Sequence, residues 1–171
     1  MPLLAITVLG HDRPGIIAGT TGVLADLGLN IEDSTMTLLR GHFAMMLISE
    51  GSTDASTVEE ALGGLTVDGT LSVSVREVPA EQAPSRGTAY LLSVHGGDRP
   101  GIVSTMIGRI ADAGGNVTDL TTRLAGDLYV LLAEVDLPAS ADPDALARAL
   151  AGAGAAVGVE VTLRALESDD L

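Results

Sequence analysis

Apolar residues follow two alternating rhythms along this chain, and the whole sequence of rhythms occurs twice. Residues 3–9 and 89–95 are short apolar runs with β-branched members, which predicts strands. Pro14-Gly15 and Pro100-Gly101 then break the strand and open a helix, with proline tolerated in the first turn. Ile17, Thr20, Leu24 and Leu27 recur at helical spacing, as do Val103, Met106, Ile110 and Ala113. Gly28 and Gly114 stand where a glycine ends a helix. Two strands follow at 31–39 and 42–49, joined by the tight Arg40-Gly41 turn. Their counterparts are 117–125 and 128–136 around Gly126-Asp127. A second helix is marked by Val58, Ala61 and Leu62, and in the second half by Leu146, Ala149 and Leu150. The last strands are expected at 70–78 and 156–165. The order βαββαβ predicts an α+β fold: a four-stranded antiparallel sheet with both helices on one face, the ferredoxin-like plan, in each half.

The two halves are copies. Gly10-His11-Asp12-Arg13-Pro14-Gly15-Ile16 reads like Gly96-Gly97-Asp98-Arg99-Pro100-Gly101-Ile102. The offset of 86 holds without a gap over residues 4–50 against 90–136, with 15 identities in 47 positions. The expected organisation is a first domain at 1–78, a linker at 79–87, a second domain at 88–166 and an acidic tail at 167–171. The linker has two prolines, a glycine and no apolar periodicity. Strands such as Tyr90-Leu91-Leu92-Ser93-Val94 and Leu128-Tyr129-Val130-Leu131-Leu132 are apolar on both faces. Helices cover only one face, so another domain or another chain is expected on the other; a homodimer is the simplest form.

Charge removes several functions. Twenty-three acids against 9 bases give a formal net charge of −14, and all 9 bases are arginine. Such a surface repels phosphate backbones and anionic membranes, so neither nucleic acid nor membrane is an expected partner. The absence of lysine excludes Schiff-base and phosphate-loop chemistry, and the absence of cysteine excludes thiol nucleophiles, disulfides and thiolate metal sites. No apolar run is long enough to span a bilayer and no secretory leader is evident, so a soluble cytoplasmic protein is expected. No nucleophile elbow, dinucleotide fingerprint or set-apart acid/base pair is present, so no catalytic residue, metal or cofactor is expected.

The repeated turn carries the remaining chemistry. A strand-to-helix turn with glycine exposes backbone N–H groups at the positive end of a helix, which suits a carboxylate. Asp12 and Asp98 just before it can hold an ammonium group, and the two together recognise an amino acid. The same aspartates also suit a turn or a helix cap that needs no ligand. Asn30 and Asn116 open the following strand and offer an amide contact, or serve only a left-handed backbone. His11 and His95 end the first strands and either line the pockets or are ordinary strand ends, while His42 is expected to be merely exposed. Arg13 and Arg99 read as solvated or paired with acids. Gly22 and Gly108, mid-helix in both copies, point to close helix packing.

Asp-Arg-Pro-Gly-Ile, the capping glycine and the following Asn-Ile or Asn-Val, in this element order, resemble the ACT domain family twice over. The tandem arrangement is similar to the two-ACT-domain type of glycine cleavage system transcriptional repressor. The resemblance implies a non-catalytic sensor of a free amino acid that signals to a protein partner, either a transcription factor or an enzyme. It also leaves open a detached regulatory subunit of an amino-acid enzyme, or a structural oligomerisation module with vestigial sites. It implies ligand contacts by the first strand–helix loop and the start of the second strand, at an interface between domains. By motif these are Gly10, His11, Asp12, Gly15, Ile16 and Asn30, and Gly96, Asp98, Gly101, Ile102 and Asn116, with His95 beside them.

Overall fold

The computed structural model describes residues 2–80 and 87–167; expected linker residues 81–86 and tail residues 168–171 lie outside the described residues. The chain divides into two compact units, Met1–Gln82 and Ala83–Leu171. Unit 1 runs β1 (Leu3–His11), α1 (Ile16–Asp26), β2 (Asn30–Leu39), β3 (His42–Glu50), α2 (Ala55–Leu62), a 3₁₀ turn (Gly63–Leu65) and β4 (Leu71–Val78). Unit 2 runs β5 (Thr88–Gly97), α3 (Ile102–Asp112), β6 (Asn116–Ala125), β7 (Leu128–Leu137), α4 (Pro143–Val157) and β8 (Val159–Ala165). The sheet orders are β2-β3-β1-β4 and β6-β7-β5-β8, antiparallel throughout. Both units therefore have the ferredoxin-like α+β arrangement.

Each core lies between the sheet and its two helices. In unit 1, Leu4, Ile6, Val8 and Leu47 of the sheet meet Ile16, Leu24, Val58 and Leu62 of the helices. In unit 2, Leu92, Val94 and Leu131 meet Ile102, Met106, Ile110, Leu146 and Leu150. A fully buried side chain of this size contributes about 1.5–3 kcal/mol. The opposite sheet face is left open: Leu9 is 49% exposed, Met46 45% and Leu132 43%. Edge strands β2 and β6 are exposed almost throughout.

Left-handed glycines end three of the four α-helices, and side chains cap the starts of two. Gly28 and Gly114 are left-handed at φ 71° and 75°. Leu29 N–H donates to the Leu24 carbonyl and Gly28 N–H to that of Ala25; Gly115 to Ile110 and Gly114 to Ala111 repeat the pattern. Asp54 caps α2 by accepting from Thr57 N–H at 3.0 Å, and Asp142 caps α4 from Asp144 and Ala145. Arg40 and Gly41, both at positive φ (51° and 83°), form the β2–β3 turn.

Six expectations are corrected. Proline does not open α1 or α3; Gly15 and Gly101 are the N-caps, left-handed at φ 91° and 94°. The buried stripe of α1 is Ile16, Thr20 and Leu24, whereas Ile17 is 42% exposed. That of α3 is Ile102, Met106 and Ile110, with Val103 only partly buried. Ala61 and Ala149 are exposed beside the buried Leu62 and Leu150. Gly22 and Gly108 meet nothing within 4 Å of where a Cβ would stand, so close packing does not account for them. Finally, α4 continues to Val157 and left-handed Gly158 ends it, so β8 begins at Val159 and not at 156.

Candidate functional site

Each candidate turn stands where β1 or β5 ends and the next helix begins. Gly10 is required by close approach: a Cβ there would overlap the Thr70 carbonyl oxygen and come within 2.8 Å of Leu71 Cα. Gly96 is in the same position against β8: a Cβ there would stand 2.7 Å from the Gly158 carbonyl oxygen and 2.9 Å from Val159 Cα. Both glycines thus let the last strand press against the turn. Ile16 and Ile102 are 3% and 2% exposed and belong to the cores. They anchor the helix start and offer only their backbone to the turn.

Neither α1 nor α3 has a side-chain cap. The first helical bonds run from Gly19 N–H to the Gly15 carbonyl and from Thr105 N–H to that of Gly101. The N–H groups of residues 16–18 and 102–104 precede those bonds and point out of the helix end. Asp12 and Asp98 are exposed, and among the described residues neither carboxylate has a hydrogen-bond or ion-pair partner. The capping role that their position allows is therefore not what they perform. An uncapped positive helix end beside an unpartnered carboxylate is a complementary pair for a zwitterion.

The arginines brace the turn. Arg13 pairs with Asp68 and donates to the Leu65 carbonyl at 2.8 Å and to Thr70 Oγ1 at 3.4 Å. Asp68 is held below its ordinary pKa, first by the Thr70 hydroxyl, then by the Thr70 backbone N–H, with the Arg13 charge adding to both. In unit 2 the Arg99 guanidinium lies over Gly158, where a Cβ would sit 3.2 Å from it. Asp12 N–H donates to the Gly41 carbonyl at 3.0 Å, which ties the turn to the β2–β3 hairpin. Sequence spacing gave no sign of Asp68, Thr70 or His42 at this end of the unit. His42 lies directly opposite His11, and their rings are 6.3 Å apart. His95 Nε2 pairs with Glu160 Oε2 at 2.9 Å on the open face of unit 2.

The asparagines are elsewhere. Asn30 is paired with Glu50, which is also opposite Leu3 at the start of β1. The Asp12 turn follows the other end of that strand, about 26 Å away at the rise of an extended chain. Asn116, opposite Asp136, is equally remote from Asp98. Within one unit the aspartate turn and the asparagine cannot touch the same amino acid. A concavity of about 550 Å³, lined by Leu3, Ala5, Glu32, Asp33, Met46, Ile48, Val78 and Pro79, lies nearer the asparagine end of unit 1.

The model of the ACT domain matches residues 2–76 and again residues 88–164. The chain belongs to the ACT domain family. This tandem ACT protein is 29% identical over 149 residues to the glycine cleavage system transcriptional repressor of Escherichia coli (strain K12), a match covering 81% of the chain and 77% of the relative. Among solved structures, a protein described as unknown from Galdieria sulphuraria has a TM-score of 0.81 at 27% identity, covering 97% of this chain and 99% of the other. A structure described as a putative glycine cleavage system transcriptional repressor has a TM-score of 0.73 and covers 98% of each chain. At 18% identity that second likeness speaks for the tandem ACT fold. Among the described residues, no helix is long and apolar enough to cross a membrane.

Proposed function

We propose that this chain is a non-catalytic cytoplasmic regulator that binds a free amino acid at the Asp12 turn, the Asp98 turn or both, and signals to a protein partner. The observation that carries the reading is the duplicated pairing of an uncapped helix start with an aspartate that has no partner among the described residues. Helix N–H groups take the ligand carboxylate and the aspartate takes the ammonium. His11 and His95 stand at the ends of the same strands. Asn30 and Asn116 stand at the far strand ends of their own units and take no part in this reading of the turn. The open apolar sheet faces support a homodimer. Relation to the glycine cleavage repressor supports a transcription factor as the partner, and a net charge of −14 opposes direct contact with DNA.

The test is a thermal-shift screen over the twenty amino acids, followed by calorimetry on each hit and on the Asp12→Asn and Asp98→Asn variants. At a ligand concentration about 100 times the dissociation constant, stability rises by about 2.7 kcal/mol, several degrees for a unit of this size. At least one variant is expected to bind its amino acid about tenfold or more weakly. Unliganded stability should hold, because neither carboxylate bonds to the described residues. A screen with no hit, or a hit whose affinity ignores both substitutions, overturns the site.

A further inference from the structure

We infer that unit 1 carries a site for a divalent transition-metal ion of the zinc, nickel or copper class, held between His11 and His42. Imidazole nitrogen is the ligand these ions share. The two residues are direct cross-strand partners on β1 and β3, so both side chains leave the same face of the sheet. Their ring centroids are 6.3 Å apart with the planes at 80°. An ion about 2.0–2.1 Å from one nitrogen of each ring lies about 3.2 Å from each centroid, which separates the centroids by about 5 Å at a tetrahedral angle. Both residues are exposed, and small side-chain rotations close that gap.

The backbone beneath the pair is already fixed. His11 N–H donates to the Thr70 carbonyl at 3.0 Å, and the next residue, Asp12, donates to the Gly41 carbonyl beside His42 at 3.0 Å. An ion there would cross-link the end of β1 to the hairpin tip. Among the described residues no third histidine or carboxylate converges on the pair, so the other coordination positions go to water. Unit 2 lacks the pair: Gly97 and Leu128 occupy the matching register, and its histidine, His95, is engaged with Glu160. The inference needs neither aspartate, although His11 also stands on the rim of the Asp12 turn.

Tag-free, chelator-stripped full-length protein titrated with Zn(II) and with Ni(II) provides the test, by calorimetry and by NMR of the imidazole rings. One ion per chain is expected. The ring signals of His11 and His42 should move while those of His95 stay. His11→Gln and His42→Gln should each weaken binding about tenfold or more, and His95→Gln should not. Absence of heat and of ring shifts at millimolar metal overturns the site. Binding that survives both unit 1 substitutions also overturns it, because it then belongs to the acidic surface.

Discussion

Glycines 96 and 108 belong to the same unit, and the structure assigns them opposite consequences when each is changed to alanine. Gly108 is in the interior of α3 with ordinary helical backbone, and nothing stands within 4 Å of its Cβ position. Its substitution removes the backbone entropy penalty of a helical glycine, about 0.8–1.0 kcal/mol, and adds no clash. For a unit of this size about 1 kcal/mol corresponds to a rise in Tm of about 4–8 °C. Gly96→Ala instead places a methyl group 2.7 Å from the Gly158 carbonyl oxygen and 2.9 Å from Val159 Cα. A close C···O contact is about 3.3–3.6 Å, so β5 and the start of β8 must separate by more than half an ångström. Both obstacles are backbone and cannot rotate away. Overpacking of this kind costs about 1–3 kcal/mol. The strand pairing from Gly96–Val159 toward Tyr90–Ala165 would loosen with it.

Urea denaturation followed by circular dichroism, alongside calorimetric melting, measures both effects. Gly108→Ala should move the midpoint up and Gly96→Ala down, with Gly22→Ala and Gly10→Ala repeating the contrast in unit 1. A neutral Gly96→Ala would refute the close-approach argument. A destabilising Gly108→Ala or Gly22→Ala would show that something packs on that helix surface in solution. The expected dimer would then have to use this surface as well as, or in place of, the open sheet face.

Two further expectations concern stability. Ser49 is fully buried and among the described residues its hydroxyl has no hydrogen-bond partner, while Val135 fills the matching place in unit 2, so Ser49→Ala should stabilise unit 1 by about 1–3 kcal/mol in urea denaturation; a clear loss would refute this. Asp54 and Asp68 are both held below the ordinary value of 3.8, Asp54 by hydrogen bonds first from the Ser56 hydroxyl and then from Thr57, Asp68 chiefly by Thr70. The unfolded chain binds more protons there, so this stabilisation is present above about pH 4–5 and is lost as pH falls through the depressed folded values. Urea midpoints measured from pH 5 down to pH 2 should fall less steeply in Asp54→Asn than in the unaltered chain.

Much of the architecture was legible because the chain states it twice. The hairpin turns, the capping glycines and the element order all rest on local chemistry that the offset of 86 repeats. The errors share a cause. Ile16 and Ile17 are both apolar, so periodicity alone could not choose which one faces the sheet; the left-handed Gly15 sets the phase and buries Ile16. The run Ala-Gly-Ala-Gly-Ala-Ala in α4 has no contrast between faces, and only the positive φ of Gly158 marks its end. For the site, the turn itself was readable, but its neighbours were not. Arg13 reaches Asp68 across 55 residues, and His42 meets His11 only through strand register. Family resemblance sets Asn30 beside Asp12, yet α1 runs back along the strands and puts its two ends at opposite strand ends, so Asn30 lies opposite Glu50 near the start of β1.

The internal repeat also separates what the fold demands from what each unit has added. Gly10 and Gly96, Gly15 and Gly101, and Gly28 and Gly114 are the same in both copies, and each stands where backbone geometry excludes a side chain or strains one. Asp12 and Asp98 are also the same, yet no bond among the described residues calls for a carboxylate there. That contrast is the reason to look for the demand in a ligand. The copies differ at His11 and Gly97, at His42 and Leu128, at Leu9 and His95, and at Ser72 and Glu160. Strand register places each of these at the end of β1 or β5 that leads into the turn. Unit 1 thereby gains a histidine pair and unit 2 an imidazole–carboxylate pair on otherwise equivalent scaffolds. If the turns bind an amino acid as proposed, one shared chemistry with different rims predicts unequal affinities, to be measured separately, one aspartate at a time.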